Sequence, residues 1–274
     1  MTIEELLVFA KQHLHSDHAK ILLAELLNKN PLELLTVLDE QVEEEKQELY
    51  KKEVLALESG KPLQYVIGNV NFHGIKFYID ERVLIPRFET EELVDNTINY
   101  IKKHFTEPVD IVDLGTGSGV IGLTLEQKVS TKSVDLIDIS KEALEVTHKN
   151  CEKLNSKANL IENDMLENIT KKYDVIISNP PYIKENEEIE DIVKENEPHL
   201  ALYAGIDGMD CYKKIFKNIN NNMKEKCLVA LEIGYEQKED IINLINEYLD
   251  NVQIEVKKDL SEKNRMIFIF KNVK

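Results

Sequence analysis

Apolar positions change their spacing twice along this chain, and each change predicts a different kind of structure. From Ile3 to Leu38 they recur every three or four residues, the period of helices with one buried face. Thr2 with Glu5 three residues on is a capping box, and Leu6, Leu7, Ala10 and Leu14 follow it. Ser16 and Asp17 can cap a second helix, with Leu22, Leu23, Leu26 and Leu27 on one face. Asn30-Pro31 opens a third, continued by Leu34, Leu35 and Leu38. Gln41 to Glu58 reads as a charged helix with sparse contacts at Leu49, Val54, Leu55 and Leu57. Gly60 ends it and Pro62 prevents its resumption. Residues 1–68 therefore predict a small helical bundle. It has no His/Cys cluster, glycine-rich turn or basic stripe, and is expected to dock or pack rather than catalyse.

Between Asn69 and Pro86 the period falls to two. Val70, Phe72, Ile75, Phe77 and Ile79 alternate with polar residues around His73-Gly74, which predicts a β-hairpin and a narrow connection over 69–86. A helix then runs from Thr90 through Leu93, Val94, Ile98 and Ile101. After Pro108 strands and helices alternate, as in a mainly parallel α/β sheet. The expected strands are Val109–Leu114, Val134–Ile139, Asn159–Glu162, Tyr173–Ser178, Cys227–Ile233, Val252–Lys258 and Arg265–Phe270. Helices centre near residues 123, 147, 216 and 243. Only Asp259 to Asn264 separates the last two strands, so they are expected to pair antiparallel.

Composition changes this picture in one respect. The formal charge is −17 over 274 residues, which argues against gripping a phosphate backbone and for a protein or small-molecule partner. Cys151, Cys211 and Cys227 are odd in number and widely spaced, suiting neither disulfides nor a zinc site. No apolar run reaches membrane-spanning length, and the start Met1-Thr2-Ile3-Glu4-Glu5 lacks the basic residues of a signal peptide, so a cytoplasmic location is expected. A monomer is the accompanying expectation. Lys184 to Glu197 carries seven carboxylates against two lysines and predicts a solvated, mobile segment or helix over the site.

The chemistry gathers where the strands end. Ser178-Asn179-Pro180-Pro181-Tyr182 follows an apolar strand that two prolines must terminate. Asn179 is then held at the carboxyl edge of the sheet, where open α/β sheets bind ligands. The Asn179 side-chain carbonyl and the Pro180 backbone carbonyl are two acceptors, and Tyr182 offers a flat wall. That set suits a planar –NH2 group. Asp113-Leu114-Gly115-Thr116-Gly117-Ser118-Gly119 ends the first strand in a G-x-G-x-G turn. It lacks the third glycine spacing of the dinucleotide fingerprint and the Gly-Lys-Ser/Thr of a P-loop. Asp138 ends the second strand 25 positions after Asp113, placed to accept from ribose hydroxyls. Asp164 and Met165 end the third, where an adenine amine could be accepted and its ring covered.

This combination resembles class I S-adenosylmethionine-dependent methyltransferases acting on an amide or exocyclic amine. More narrowly, PLQYVIGNVNFHGIKFYIDERVLIPRFETEELV, DLGTGSG, SNPPYI and NEPHLALYAGIDGMDCYKKI are similar to the PrmC/HemK family. The resemblance covers nearly the whole chain and is weakest over residues 1–60. Phe88 stands where many members have a second proline. It implies a seven-stranded, mostly parallel sheet with one antiparallel strand behind a helical docking domain and hairpin linker, with the methyltransferase domain spanning 87–274. It also implies methylation of the glutamine in the Gly-Gly-Gln motif of peptide-chain release factors, with S-adenosyl-L-methionine as cofactor. Cofactor contacts would fall on Gly115, Thr116, Gly117, Ser118, Gly119, Asp138, Asp164, Met165 and Asn179. Substrate contacts would fall on Asn179, Pro180, Pro181 and Tyr182, with Asn179, Pro180 and Tyr182 catalytic.

Two related activities share this motif: glutamine methylation of a ribosomal protein, favoured less by the Arg-Phe-Glu-Thr-Glu stretch, and adenine-N6 methylation of nucleic acid, disfavoured by the acidic balance. A non-catalytic binding protein on the same fold would fail to bind the cofactor. Glu232, at the end of the fifth strand, reads equally as a site residue or a structural carboxylate. Arg87, Glu89 and Glu91 could steady one side of the cleft or merely start a helix, and Phe88 could pack the substrate or the core. His73, His104, His148 and His199 share no spacing and read as ordinary histidines.

Overall fold

The computed structural model describes residues 1–14 and 16–273; the Ser16 side chain, expected as a helix cap, lies outside the described residues. By contacts the chain forms two units, Met1–Asn69 with Glu190–Asn196, and Val70–Ile189 with Glu197–Lys274.

In the first unit α1 (Ile3–Ala10) carries its capping box: Glu5 N donates to Thr2 Oγ1 at 3.2 Å and Thr2 N to Glu5 Oε2 at 2.9 Å. Then come α2 (Ser16–Leu26), α3 (Glu44–Glu58) and α4 (Leu63–Ile67). Ile3, Leu6, Leu22, Leu23, Tyr50 and Val54 form the shared core. The expected third helix is one 3-10 turn, Glu33–Thr36. Only Leu34 of its leucines is fully buried, while Leu32 and Leu35 are exposed. The chain beyond it is committed elsewhere: Leu38 and Glu40 carbonyls accept from the first-turn N–H groups of Glu4 and Ile3, which a new helix would leave bare. Pro62 was expected to stop helix formation. Instead it precedes α4, because a proline lacking an N–H costs nothing at a helix start.

In the second unit β1 (Asn69–Phe72) and β2 (Ile75–Tyr78) form the hairpin, turning through His73 and Gly74 with φ of 54° and 77°, the geometry of a two-residue hairpin turn. This stretch, expected as a connection, sinks Phe72 and Phe77 into the core of the sheet. The elements that follow are α5 (Phe88–His104), β3 (Val109–Leu114), α6 (Val120–Lys128), β4 (Thr131–Asp138), α7 (Lys141–Leu154), β5 (Asn159–Glu162) and β6 (Tyr173–Ser178). After α8 (Asp191–Asn196) of the first unit come α9 (His199–Leu202), α10 (Asp210–Asn222), β7 (Met223–Glu232), α11 (Lys238–Tyr248), β8 (Val252–Lys258) and β9 (Asn264–Lys271).

The sheet order is β5-β4-β3-β6-β7-β9-β8, with β9 antiparallel to both neighbours and the other pairings parallel. Successive strand residues face opposite layers. Ile111, Val175 and Leu228 pack with α5 and α6, while Val112, Ile176 and Val229 pack with α10 and α11. Burial on both faces explains why these strands read as unbroken apolar runs. The chain winds one way from β3 to β4 and the other way to β6. Their carboxyl ends therefore flank a topological switch point, the usual crevice for a ligand. No helix among the described residues is long and apolar enough to cross a membrane.

Candidate active site

The glycine turn follows β3. Gly119 caps α6 with φ of 83°, and a side chain there would press Leu123 and Thr147 at 2.9 Å, so both backbone and packing require glycine. Helix α7 holds the turn from behind. Thr147 Oγ1 donates to Gly117 O at 2.6 Å and Asn150 Nδ2 to Ser118 O at 2.8 Å. Asn150 also exchanges two hydrogen bonds with the Tyr78 backbone at 2.7 and 2.9 Å, fastening the hairpin to the same support. Asp113 is wholly buried; its Oδ2 accepts from Thr116 Oγ1 at 2.7 Å and Gly122 N at 3.0 Å. Its Oδ1 has no partner among the described residues. Burial pushes this carboxyl up to about 7, against those hydrogen bonds.

Beside the turn lies a cavity of about 480 Å³. Gly115 and Gly117 line it, as do Asp138, Asp164, Met165, Asn179 and Pro181. Thr116 and Ser118 are buried instead, Thr116 with its hydroxyl spent on Asp113. Asp138 accepts from Gly117 N at 2.8 Å and Ser140 N at 2.9 Å, and burial raises its carboxyl despite those bonds. Asp164 Oδ2 is ion-paired with Lys214 at 2.6 Å, a partner nothing near Asp164 in sequence announces. Asn163 Nδ2 donates to the carbonyls of Met165 and Glu167, holding the turn that presents Met165.

The opposite wall comes from two segments, Val83-Leu84 and Pro198 to Ala201. Glu197 joins them: its Oε1 pairs with Arg87 at 2.6 Å and its Oε2 accepts from Ile85 N at 3.2 Å. The acidic 184–197 stretch is solvated over most of its length, α8 burying no residue, and Glu197 is its buried exception.

Asn179 follows β6, whose Ser178 hydroxyl donates to Leu114 O at 2.6 Å and ties the two strand ends together. Asn179 Nδ2 donates to Thr90 Oγ1 at 3.0 Å, and Thr90 Oγ1 donates to Glu232 Oε2 at 2.7 Å. Glu232 therefore reaches the site through Thr90. Pro180 is buried, and Tyr182 is not the flat wall expected of it. Its ring packs toward α10 and β7, and its hydroxyl accepts from Arg265 at 3.4 Å. Burial pushes Tyr182 up to about 12. Residues 179 and 181 line the cavity, while Pro180 between them is buried and Tyr182 half-buried. Phe88 is exposed, and Glu89 and Glu91 sit in the first turn of α5.

These positions fit a nucleoside with an amino-acid tail: an open glycine turn, the Asp138 carboxylate at the second strand's end and a Met165 wall. Similarity to known proteins points the same way. Residues 5–68 match the PrmC N-terminal domain family and residues 90–201 the methyltransferase small domain family. Among solved structures, a methyltransferase from Pyrococcus furiosus superposes with a TM-score of 0.54 at 16% identity, over 73% of this chain and 91% of that one. The 16S rRNA N2 G1207 methyltransferase of Thermus thermophilus gives 0.53 at 16% identity, over 74% and 50%. At such identity these show the shared fold. The release factor glutamine methyltransferase of Bacillus subtilis (strain 168) is 38% identical over 97% of this chain and 96% of its own length. That of Bacillus cereus is 36% identical over 91% and 90%. With such identity over both lengths, and the strand-end residues gathered round one cavity, this chain belongs to the release factor glutamine methyltransferase family.

Proposed function

We propose that this protein transfers a methyl group from S-adenosylmethionine to the side-chain amide nitrogen of the glutamine in the Gly-Gly-Gln motif of release factors. The observation that carries the reading is the commitment of the Asn179 amide. Its Nδ2 is bonded to Thr90, so its carbonyl is the end left to accept from a ligand in the cavity. Gly115, Gly117, Asp138, Asp164 and Met165 hold the cofactor, with Lys214 orienting Asp164. Thr116, Ser118 and Gly119 shape the turn behind them. When bound, the cofactor supplies a methyl already activated by its sulfonium.

The protein's task is then the nucleophile. An amide nitrogen is weakly nucleophilic because its lone pair is delocalised into the carbonyl. Accepting its N–H bonds at Asn179 Oδ1 and the Pro180 carbonyl orients the nitrogen and favours the charge that develops on it. Pro181 walls the pocket, while Tyr182 stiffens the motif from the core side. Residues 1–68 dock the protein substrate, and the enzyme works as a cytoplasmic monomer without contacting nucleic acid.

The test is transfer of labelled methyl to a purified release factor, to the same factor with its Gly-Gly-Gln glutamine replaced, and to duplex DNA. Label on the first alone is the expected result. Label on the glutamine-replaced factor or on DNA overturns the reading.

A further inference from the structure

An asparagine amide offers two opposite faces: a carbonyl that accepts and an –NH2 that donates. The two differ little in shape, and only hydrogen bonding decides which one a ligand meets. Presented carbonyl-first, Asn179 attracts a substrate –NH2. Presented the other way, it sets donor against donor.

The surroundings of Asn179 choose between these faces. Thr90, 3% exposed in the first turn of α5, has one hydroxyl hydrogen and two lone pairs. That hydrogen goes to Glu232 Oε2, and a lone pair accepts from Asn179 Nδ2. Glu232, 2% exposed at the end of β7, can only accept while ionised. The polarity of the chain is therefore set from the buried end. An ionised Glu232 takes the Thr90 hydrogen, Thr90 must then accept, and Asn179 must turn its –NH2 inward. We infer that Thr90 and Glu232 are positioning residues, whose hydrogen-bond chain fixes the Asn179 carbonyl toward the cavity and so decides whether the site can receive an amide –NH2. This rests on the glutamine-methylating function proposed above.

Protonation of Glu232 would release the lock. A neutral carboxyl can donate to Thr90, whose own hydrogen is then free for Asn179 Oδ1, and both amide orientations become satisfiable. Burial holds Glu232 at about 7, opposed by the Thr90 bond and by Arg265 of β9 and Arg87 ahead of α5, and reinforced by Glu89. Tyr182 after β6 and Tyr212 of α10 complete its surroundings, Tyr212 donating to the Glu232 backbone carbonyl at 2.8 Å. Lowering pH through neutrality should therefore loosen Asn179.

The experiment compares the full-length wild type with Thr90→Val, Thr90→Ser and Glu232→Gln. Methyl transfer to a release factor gives kcat and KM, and calorimetry gives the affinity for S-adenosylhomocysteine. The Asn179 side-chain 15N–1H pair, identified by its absence from Asn179→Asp, is followed from about pH 6 to 8, the interval around the Glu232 value. Thr90→Val is expected to lower kcat about 10- to 100-fold by leaving the Asn179 donor and the buried Glu232 acceptor unpaired, with smaller changes in KM and in cofactor affinity. Thr90→Ser, which restores the hydroxyl, is expected to stay within about threefold of wild type. The Asn179 pair should titrate in wild type and Thr90→Ser and lose that titration in Glu232→Gln. Wild-type kcat in Thr90→Val, or an Asn179 titration unchanged in Glu232→Gln, overturns the inference. If wild type methylates no release factor, the proposed function falls, yet the Asn179 titration still decides the relay. If Thr90→Val does not fold, the Thr90→Ser and Glu232→Gln signals decide it.

Discussion

The two ends of the sheet carry acids in similar numbers and treat them in opposite ways. At the amino end Lys224 lies 2.5 Å from Asp110 and 2.6 Å from Asp174. Midway along β4, Asp135 takes Lys171 at 2.7 Å, the Tyr173 hydroxyl at 2.8 Å and Asn159 at 2.8 Å. Burial would raise Asp110, but bonds from Lys224 and Ser133 outweigh it and hold the carboxyl below its ordinary value. At the carboxyl end Asp113, Asp138 and Glu232 have no lysine or arginine ion-paired to them among the described residues, and burial raises all three. Asp164, a cavity-lining acid of that end, does have such a partner in Lys214 at 2.6 Å. The acids of the amino end, and Asp135, are neutralised by cations at short range. Acids left buried and uncompensated cost stability and persist where a ligand or a hydrogen-bond relay uses them.

The sharpest break of this comparison is Asn179→Ala, which removes the acceptor at the carboxyl edge. Turnover on a release factor should fall about 10²- to 10³-fold, the usual loss of one preorganised polar group, with a smaller fall in cofactor affinity. Near-full turnover in a methyl-transfer assay would remove Asn179 from the chemistry. Next in size is the stability stored in Glu232. Its value is raised on folding from 4.5 to about 7, so the folded state favours the protonated acid. That favour is complete below the unfolded value and is lost as pH climbs from about 4.5 through 7. Relative to wild type, Glu232→Gln should gain about 3 kcal/mol between pH 4.5 and 8, on the order of the shift converted at 1.36 kcal/mol per unit. Urea unfolding at both pH values measures it, and parallel curves for the two proteins would refute the buried charge.

What the sequence made legible is what neighbouring residues decide. The strands, their one antiparallel member, the glycine turn and Asn179 each rest on local period or turn chemistry. Thr90, Lys214 and Glu197 act at long range, bonding partners 89, 50 and 110 positions away. Thr90 sits inside Phe88-Glu89-Thr90-Glu91, where it looks like any polar residue at a helix start. Its burial follows from the sheet edge it meets, which no local spacing encodes. Tyr182 failed differently. The motif named it as a wall, but Tyr182 lies outside the cavity lining, half-buried against the core cluster beside α10. The 3-10 turn at Glu33–Thr36 failed because a leucine period cannot reveal that later carbonyls are claimed by α1.

Two smaller effects sharpen the contrast. Asp138→Asn keeps the size of the side chain and removes its charge at the cavity. Affinity for S-adenosylhomocysteine should fall about 10-fold, as one charge-assisted acceptor is lost, and Tm should fall with it, because the new –NH2 faces the N–H of Gly117 or Ser140. Unchanged affinity by calorimetry would detach Asp138 from the cofactor.

Lys224→Met is the matching change at the amino end. It removes the cation shared by Asp110 and Asp174 while keeping an apolar stem of similar length. Breaking a fully buried pair can cost several kcal/mol, but Lys224 keeps about a third of its surface exposed, and water can screen the abandoned acids. The expected loss is therefore only about 1–2 kcal/mol in urea unfolding. It should grow as pH rises from acid toward neutral, because Asp110, held below its ordinary value partly by Lys224, needs the cation only once ionised. Turnover per folded molecule should stay at the wild-type level, since nothing at that end lines the cavity. A fall in kcat without a fall in stability would mean that the two ends of the sheet are coupled, and the division between structural and functional acids would have to be redrawn.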